Sequence, residues 1–176
     1  RMTELANLQL ERGADGLCVA KLGEAEGFAA AGARRIFVAY PIVGEGKAER
    51  ALALAATVDL TLGTDSVEAA ASVGRVFARA GIRARLLLAI DSGLGREGVL
   101  PDAAPALAQS IAALDGVELV GIYTHEGTVY GAADASEVTA RARSAGRTMV
   151  ETAEAIRARG IPLPVVSVGS SASARA

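Results

Sequence analysis

Three clusters of small, polar and ring-bearing residues could carry chemistry in this chain, and each follows an apolar run. The first is Val166-Ser167-Val168-Gly169-Ser170-Ser171-Ala172-Ser173, where a β-branched run breaks into Gly, Ser and Ala. A strand that ends in small residues exposes backbone N–H groups with no side chains in the way, which suits a phosphate group. The same pattern also fits a plain flexible connection. The second is Gly121-Ile122-Tyr123-Thr124-His125-Glu126-Gly127. Residues two apart in a strand share a face, so the Tyr123 phenol and the chain's only imidazole, His125, point the same way. His125 is either a site residue or a loop histidine bonded to a backbone carbonyl; its company of Tyr123, Glu126 and Gly127 favours a site. The third is Asp91-Ser92-Gly93-Leu94-Gly95-Arg96-Glu97-Gly98, a glycine-rich turn with one Asp and one Arg. Arg96 could fix an oxygen with its forked donors, or pair with Asp91 simply to shape the loop.

Other residue types narrow the chemistry. Lys21 is one of two lysines and follows a predicted strand, where a Schiff-base lysine could stand, but it shares the face of Leu17 and Val19 and a solvated rim lysine is the better reading. Glu24 and Glu26 nearby would raise its pKa rather than lower it. One His and one Cys more than a hundred residues apart give no metal-ligand spacing, so no metal is assigned to this chain. There is no nucleophile elbow and no Walker loop.

The elements that must position these residues alternate along the 176 residues. A short helix carrying Leu5, Leu8 and Leu10 ends near Gly13. Strands are predicted at 16–20, 35–39, 58–62, 84–90, 117–124 and 163–168. Helices are predicted between them at 24–31, 47–56, 65–80, 102–114 and 135–159. Gly32, Gly81 and Gly160 serve as left-handed terminators, and Thr64-Asp65 and Ser136 as caps. Strict βα alternation means a parallel sheet with helices outside, either a doubly wound open sheet or a (β/α)8 barrel. No G-x-G-x-x-G opens the first strand–helix turn, and small or polar residues recur near strand C-termini; both favour the barrel. Six strands of eight, a first residue Arg1 and an ending inside a small-residue loop are expected of residues 1–176 as one barrel domain truncated at both ends.

Composition excludes several classes of partner. The chain is 51% apolar and 22% charged, with a net charge of −2 and 3% aromatic residues. Neither a basic surface nor stacking platforms for nucleic acid are expected. No apolar run reaches the roughly 18 residues of a membrane helix, and no signal-peptide pattern opens the chain. A single Cys18 fits a reducing compartment, so a cytoplasmic location is expected.

In order, these segments resemble the barrel domain of a known enzyme family. The matching stretches are Gly13-Ala14-Asp15-Gly16, Cys18-Val19-Ala20-Lys21-Leu22-Gly23-Glu24-Ala25-Glu26 and Ala29-Ala30-Ala31-Gly32. They continue with Ile90-Asp91-Ser92-Gly93 plus Arg96 and Gly98, Gly121 to Gly127, and Val166 to Ser170. Together they resemble the pyridoxal-phosphate barrel of the D-threonine aldolase and D-serine dehydratase family, related to the alanine racemase N-terminal barrel.

The resemblance implies pyridoxal 5'-phosphate as cofactor, with Gly169, Ser170 and Ser171 cradling its phosphate. Arg96 would lie near the ring's phenolic oxygen, Tyr123 near the pyridine nitrogen, and His125 on the ring or phosphate side. The family's Schiff-base lysine belongs to a first strand that would precede Arg1, so Lys21 does not inherit that role. A divalent metal, in the family, is held by a C-terminal β-domain and so would not be bound by this chain. The implied activity is that of a lyase acting on a small β-hydroxy D-amino acid, by aldol cleavage or dehydration, in a protein that is a homodimer at full length. A racemase or a non-catalytic pyridoxal-phosphate carrier on the same barrel is the alternative, and a sugar-phosphate barrel enzyme without cofactor is a more distant one. Ala172 replaces a Pro often found in the family's loop, and Thr128-Val129-Tyr130 departs from its usual G-H-S-Y ending.

Overall fold

The computed structural model describes residues 2–174. The strands are β1 (Leu17–Val19), β2 (Arg35–Pro41), β3 (Asp59–Thr64), β4 (Ala84–Ala89), β5 (Val117–Thr124) and β6 (Val165–Val168). The helices are α1 (Thr3–Glu11), α2 (Leu22–Ala30), α3 (Glu45–Ala55), α4 (Val67–Arg79), α5 (Ala104–Ala112) and α6 (Ala135–Arg157). In the sheet the strands follow chain order from β1 to β6, with no reversal of direction across the sheet. Pairing is parallel for β1–β2, β2–β3 and β5–β6. Order without reversal is the winding of a barrel, whereas a doubly wound sheet needs a switch point.

The chain divides into two compact units. The first comprises the chain up to Thr64 with Glu68–Leu86 and Leu114–Glu118; the second comprises Asp65–Val67, Leu87–Ala113 and the chain from Leu119 on. In the first unit, Leu17, Ile36 and Leu60 stand side by side in register, as do Val19, Val38 and Leu62, and all six are buried. Arg35 bridges Asp15 and Asp59, and Asp59 also pairs with Arg85. Helix α4 approaches the β5 start very closely. A Cβ on Gly116 (φ +71°) would lie 2.1 Å from the Gly74 carbonyl oxygen, so neither position accepts a larger residue as the backbone stands.

In the second unit, the core is built by Leu88, Ile90, Ile111, Ile122, Met149 and Ile156, all nearly inaccessible to solvent. The cap of α6 differs from the expected Ser136. Asp134 accepts from the Glu137 N–H at 2.8 Å, and Glu137 reaches back to the Ala133 N–H at 2.6 Å. This is a variant of the capping box, with an acidic N-cap and the return bond made one residue earlier, and it leaves Ser136 exposed in the first turn. The expected terminators hold their conformation: Gly13, Gly32, Gly81 and Gly160 all have positive φ. No helix among the described residues is long and apolar enough to cross a membrane.

Candidate functional site

Strand β5 positions the site because it is buried along its whole length but for Glu118, and the first half-buried residue after it is His125. Glu118 is exposed, whereas every residue from Leu119 to Thr124 is buried, including Tyr123 at 4% exposure. His125 follows, half-buried, its ring 5.9 Å from that of Tyr130 at a tilt of 35°. A short 3-10 helix over Gly127–Gly131 carries Tyr130 and keeps it beside His125. Parallel pairing sets Tyr123 against Ser167 and Thr124 against Val168. The small-residue turn therefore begins alongside Tyr123 and His125.

The loop after β4 folds on itself through Asp91. The Asp91 carboxylate accepts from the Gly93 N–H at 2.9 Å and the Gly95 N–H at 3.1 Å. Gly93, Gly95 and Gly98 all have positive φ, and a Cβ on Gly98 would meet the Asp91 nitrogen at 2.8 Å. Val99 then returns to pair with Ala89 and Asp91 backbone groups at 3.0 and 2.9 Å. The Ser92 and Thr124 hydroxyls, 2.9 Å apart, fasten this loop to β5. Asp91 therefore bonds to backbone and not to Arg96; Arg96 lies exposed and pairs with Glu97 through two nitrogens.

The Gly95 N–H, ahead of the Gly93 and Leu94 amides, holds the Asp91 carboxyl below the usual carboxylate range against the opposing effect of burial. A folded-state pKa below the unfolded value of about 3.9 means this contribution is present above that value and lost as pH falls through the lower, folded one. Asp91→Asn is therefore expected to lower the melting temperature at pH 7 and to narrow its gap from wild type below pH 4. A gap that stays constant with pH would remove the carboxylate from this role.

The turn after β6 holds the third cluster. Gly169 adopts φ +154°, and a Cβ there would meet nothing within 4 Å. Ser170 and Ser173 close the turn, the Ser170 N–H donating to Ser173 Oγ at 3.2 Å. The Ser173 hydroxyl donates to Oε1 of Glu126, which is 2% exposed. Burial, the largest influence, pushes the Glu126 carboxyl up, against the Ser170 hydroxyl and N–H and the nearby His125.

The residues expected from sequence are thus only partly assembled. Tyr123 and His125 line one shallow pocket with Asp91, Leu94, Glu97 and Thr124. Gly169 and half-buried Ser170 lie one strand away, while Ser171 is exposed. Arg96 is not among the pocket's lining residues, but its partner Glu97 is. Sequence reasoning treats Glu126 only as a neighbour of His125 and gives Ser173 no role. The available signal was an acidic residue two positions past a buried strand, with two serines at i and i+3 in the facing turn.

Lys21 belongs to the first unit, where it is exposed although Leu17 and Val19 are buried. Arg1, upstream of which the Schiff-base lysine is expected, lies outside the described residues. Among the described residues no group of three or more His, Cys, Asp or Glu is gathered as a metal site.

This arrangement has relatives among known proteins. The chain is 32% identical over 172 residues to D-threonine aldolase of Arthrobacter sp, covering 97% of this chain and 45% of that protein. It is 34% identical over 174 residues to D-threo-3-hydroxyaspartate dehydratase of Delftia sp. (strain HT23), covering 98% of this chain and 46% of that protein. The crystal structure of D-threonine aldolase from Filomicrobium marinum superposes with a TM-score of 0.90 at 28% identity, over 97% of this chain and 47% of that one. The chain thus spans about half the length of these relatives. The family model described as alanine racemase, N-terminal domain, matches residues 1–176. With the βα order, the parallel strands and this end-to-end match in agreement, the chain belongs to the alanine racemase N-terminal domain family.

Proposed function

We propose that this chain is the pyridoxal 5'-phosphate-binding part of a lyase acting on a β-hydroxy D-amino acid, built as an incomplete (β/α)8 barrel. The observation that carries the reading is the β5–β6 register, which puts Tyr123 beside Ser167 and starts the Ser170–Ser173 turn next to His125. Relatives named as an aldolase and a dehydratase of β-hydroxy D-amino acids support the substrate class.

The chemistry of the donor set suits a phosphorylated aromatic ring. Around Gly169 there is open space for a phosphoryl group, and Ser170 offers a hydroxyl and an N–H beside it. Tyr123 supplies a buried O–H on the neighbouring strand, in the pocket that His125 also lines. Bound there, the cofactor supplies an electron sink for the pair left at Cα, whether Cα–Cβ breaks, as in an aldolase, or Cα–H breaks and β-hydroxide leaves, as in a dehydratase.

This chain's own part is to bind and orient. The turn would hold the phosphate, and the Tyr123 hydroxyl would serve as a neutral donor to the ring nitrogen, which would temper the sink relative to an acidic partner. Arg96, which donates to Glu97 through Nε and Nη2, would be the donor to the phenolic oxygen. Leu94, packed against Gly127, gives the pocket an apolar wall. The covalent lysine is proposed to lie upstream of Arg1.

Borohydride reduction of the full-length protein followed by peptide mapping tests the reading. The expected result is a yellow protein that bleaches, with a pyridoxyl-modified lysine a few residues before Arg1. Modification at Lys21, or no modification, would overturn it. Glycine and acetaldehyde released from D-threonine would indicate the aldolase; ammonia and oxaloacetate from D-threo-3-hydroxyaspartate would indicate the dehydratase.

A further inference from the structure

The turn after β6 is already gripping an anion-forming group of its own. The Ser173 hydroxyl donates to Glu126 Oε1, and the Ser170 hydroxyl and N–H favour that carboxyl in its ionised form. Ser170 and Ser173 are also bonded to each other, so the whole turn is organised about one buried side chain. Glu126 leaves the C-terminal end of β5 directly after His125, and its own carbonyl accepts from the Val129 N–H at 3.2 Å. Its carboxyl therefore projects from a fixed backbone.

A phosphoryl group seated in this turn needs the same donors. Two anions sharing a site of low dielectric repel strongly, and one of them must be neutralised or displaced. Among the described residues, the charged groups nearby are engaged elsewhere and do little to relieve that repulsion. On its own segment Glu126 faces His125. From α6, Arg141 is committed to Glu137 and to the Thr128 carbonyl. From the loop after β4, Asp91 is tied to its backbone amides and Glu97 to Arg96.

We propose that Glu126 is a positioning residue acting as internal occupant of the phosphate turn: its carboxyl holds Ser170 and Ser173 in place until a phosphorylated ligand takes them, and that exchange is coupled to uptake of one proton by Glu126. This rests on the reading of the turn as a phosphate site. The step balances simply: a solvent proton adds to one carboxylate oxygen, and the Ser173 hydroxyl moves its donation from that carboxyl to a phosphoryl oxygen. Burial works in the required direction, since it favours the protonated acid.

The test uses full-length protein, with pyridoxal 5'-phosphate and phosphate-free pyridoxal as probes and dissociation constants measured from pH 6 to pH 8.5. Glu126→Gln keeps the side chain's shape and carries no charge. Above the titration of Glu126, wild-type affinity for the phosphorylated probe is expected to fall relative to Glu126→Gln by up to about tenfold per pH unit. The ratio of the two proteins' constants for pyridoxal stays flat. Comparing the two proteins cancels the ionisation of the probe itself.

Calorimetry of wild type in two buffers of different ionisation enthalpy reads the proton directly and needs no variant. About one proton more should be taken up with pyridoxal 5'-phosphate than with pyridoxal. A pH-independent ratio, or Glu126→Gln weaker at every pH, overturns the proposal and leaves Glu126 as mere support. If wild type binds pyridoxal but gains nothing from its phosphate, the phosphate-site reading itself fails.

Discussion

Replacing Gly121 by alanine is expected to destabilise the protein by about 3 kcal/mol or more and to weaken pyridoxal 5'-phosphate binding at the same time. A Cβ at this position would stand 2.2 Å from the Val165 carbonyl oxygen and 2.7 Å from the Leu87 and Val165 side chains. The backbone atom cannot rotate away as a side chain would. Relief requires β6 to move off β5, and β6 carries the small-residue turn. Loss of the Gly121↔Val165 register also shifts Ser167 from Tyr123 two residues on, so stability and ligand affinity should fall together. Gly146→Ala is the opposite control. It lies within α6 with nothing within 4 Å of the added carbon, and alanine there should stabilise by up to about 1 kcal/mol. Thermal unfolding and titration with pyridoxal 5'-phosphate read both effects. A Gly121→Ala protein that melts and binds like wild type would show that β5 and β6 do not hold the site together.

The same strand shows which parts of the molecule could be read from residues alone. Val117 to Thr124 is an apolar run with its boundaries written in residue type, and the observed strand spans those residues. Helix ends were equally plain where glycine supplied the left-handed turn, as at Gly81 and Gly160. These signals are local, because backbone conformation and burial periodicity are set within a few residues.

The site was harder to read for a physical reason. Glu126 meets Ser173 across 47 residues of chain, and no spacing rule announces such a contact. The Asp91 loop misleads differently. An Asp and an Arg five residues apart suggest a pair, yet glycine amides reach the carboxylate first, and Arg96 turns to its neighbour Glu97. Even the α6 cap, Asp134 with Glu137, was present as an acidic form of the box motif but hidden by the serine between them.

Arg96→Met is expected to lower affinity for pyridoxal 5'-phosphate about 10- to 100-fold while leaving the melting temperature nearly unchanged. The two expectations come from different physics. Arg96 is 56% exposed, and an exposed ion pair contributes at most about 1 kcal/mol to folding. A hydrogen bond from a guanidinium to a ligand's anionic oxygen in a partly enclosed pocket contributes about 1.5–3 kcal/mol, which is the predicted range of affinity loss.

The pairing with Glu97 explains why exposure does not argue against the role. Glu97 is only 12% exposed, lines the pocket with Tyr123, and binds the arginine through Nε and one terminal nitrogen, the latter at 2.6 Å. That two-point grip fixes the guanidinium plane and so sets the orientation of its donors for the proposed contact. Arg96→Lys keeps the charge but loses the fork, and should fall between wild type and Arg96→Met. Glu97→Gln should weaken binding less than Arg96→Met, because it loosens the orientation without removing a donor. Equilibrium titration of the full-length proteins, with a parallel melt of each, separates these outcomes. If Arg96→Met binds pyridoxal 5'-phosphate as tightly as wild type, the phenolic oxygen is held by another group and the Arg96–Glu97 pair only shapes the loop.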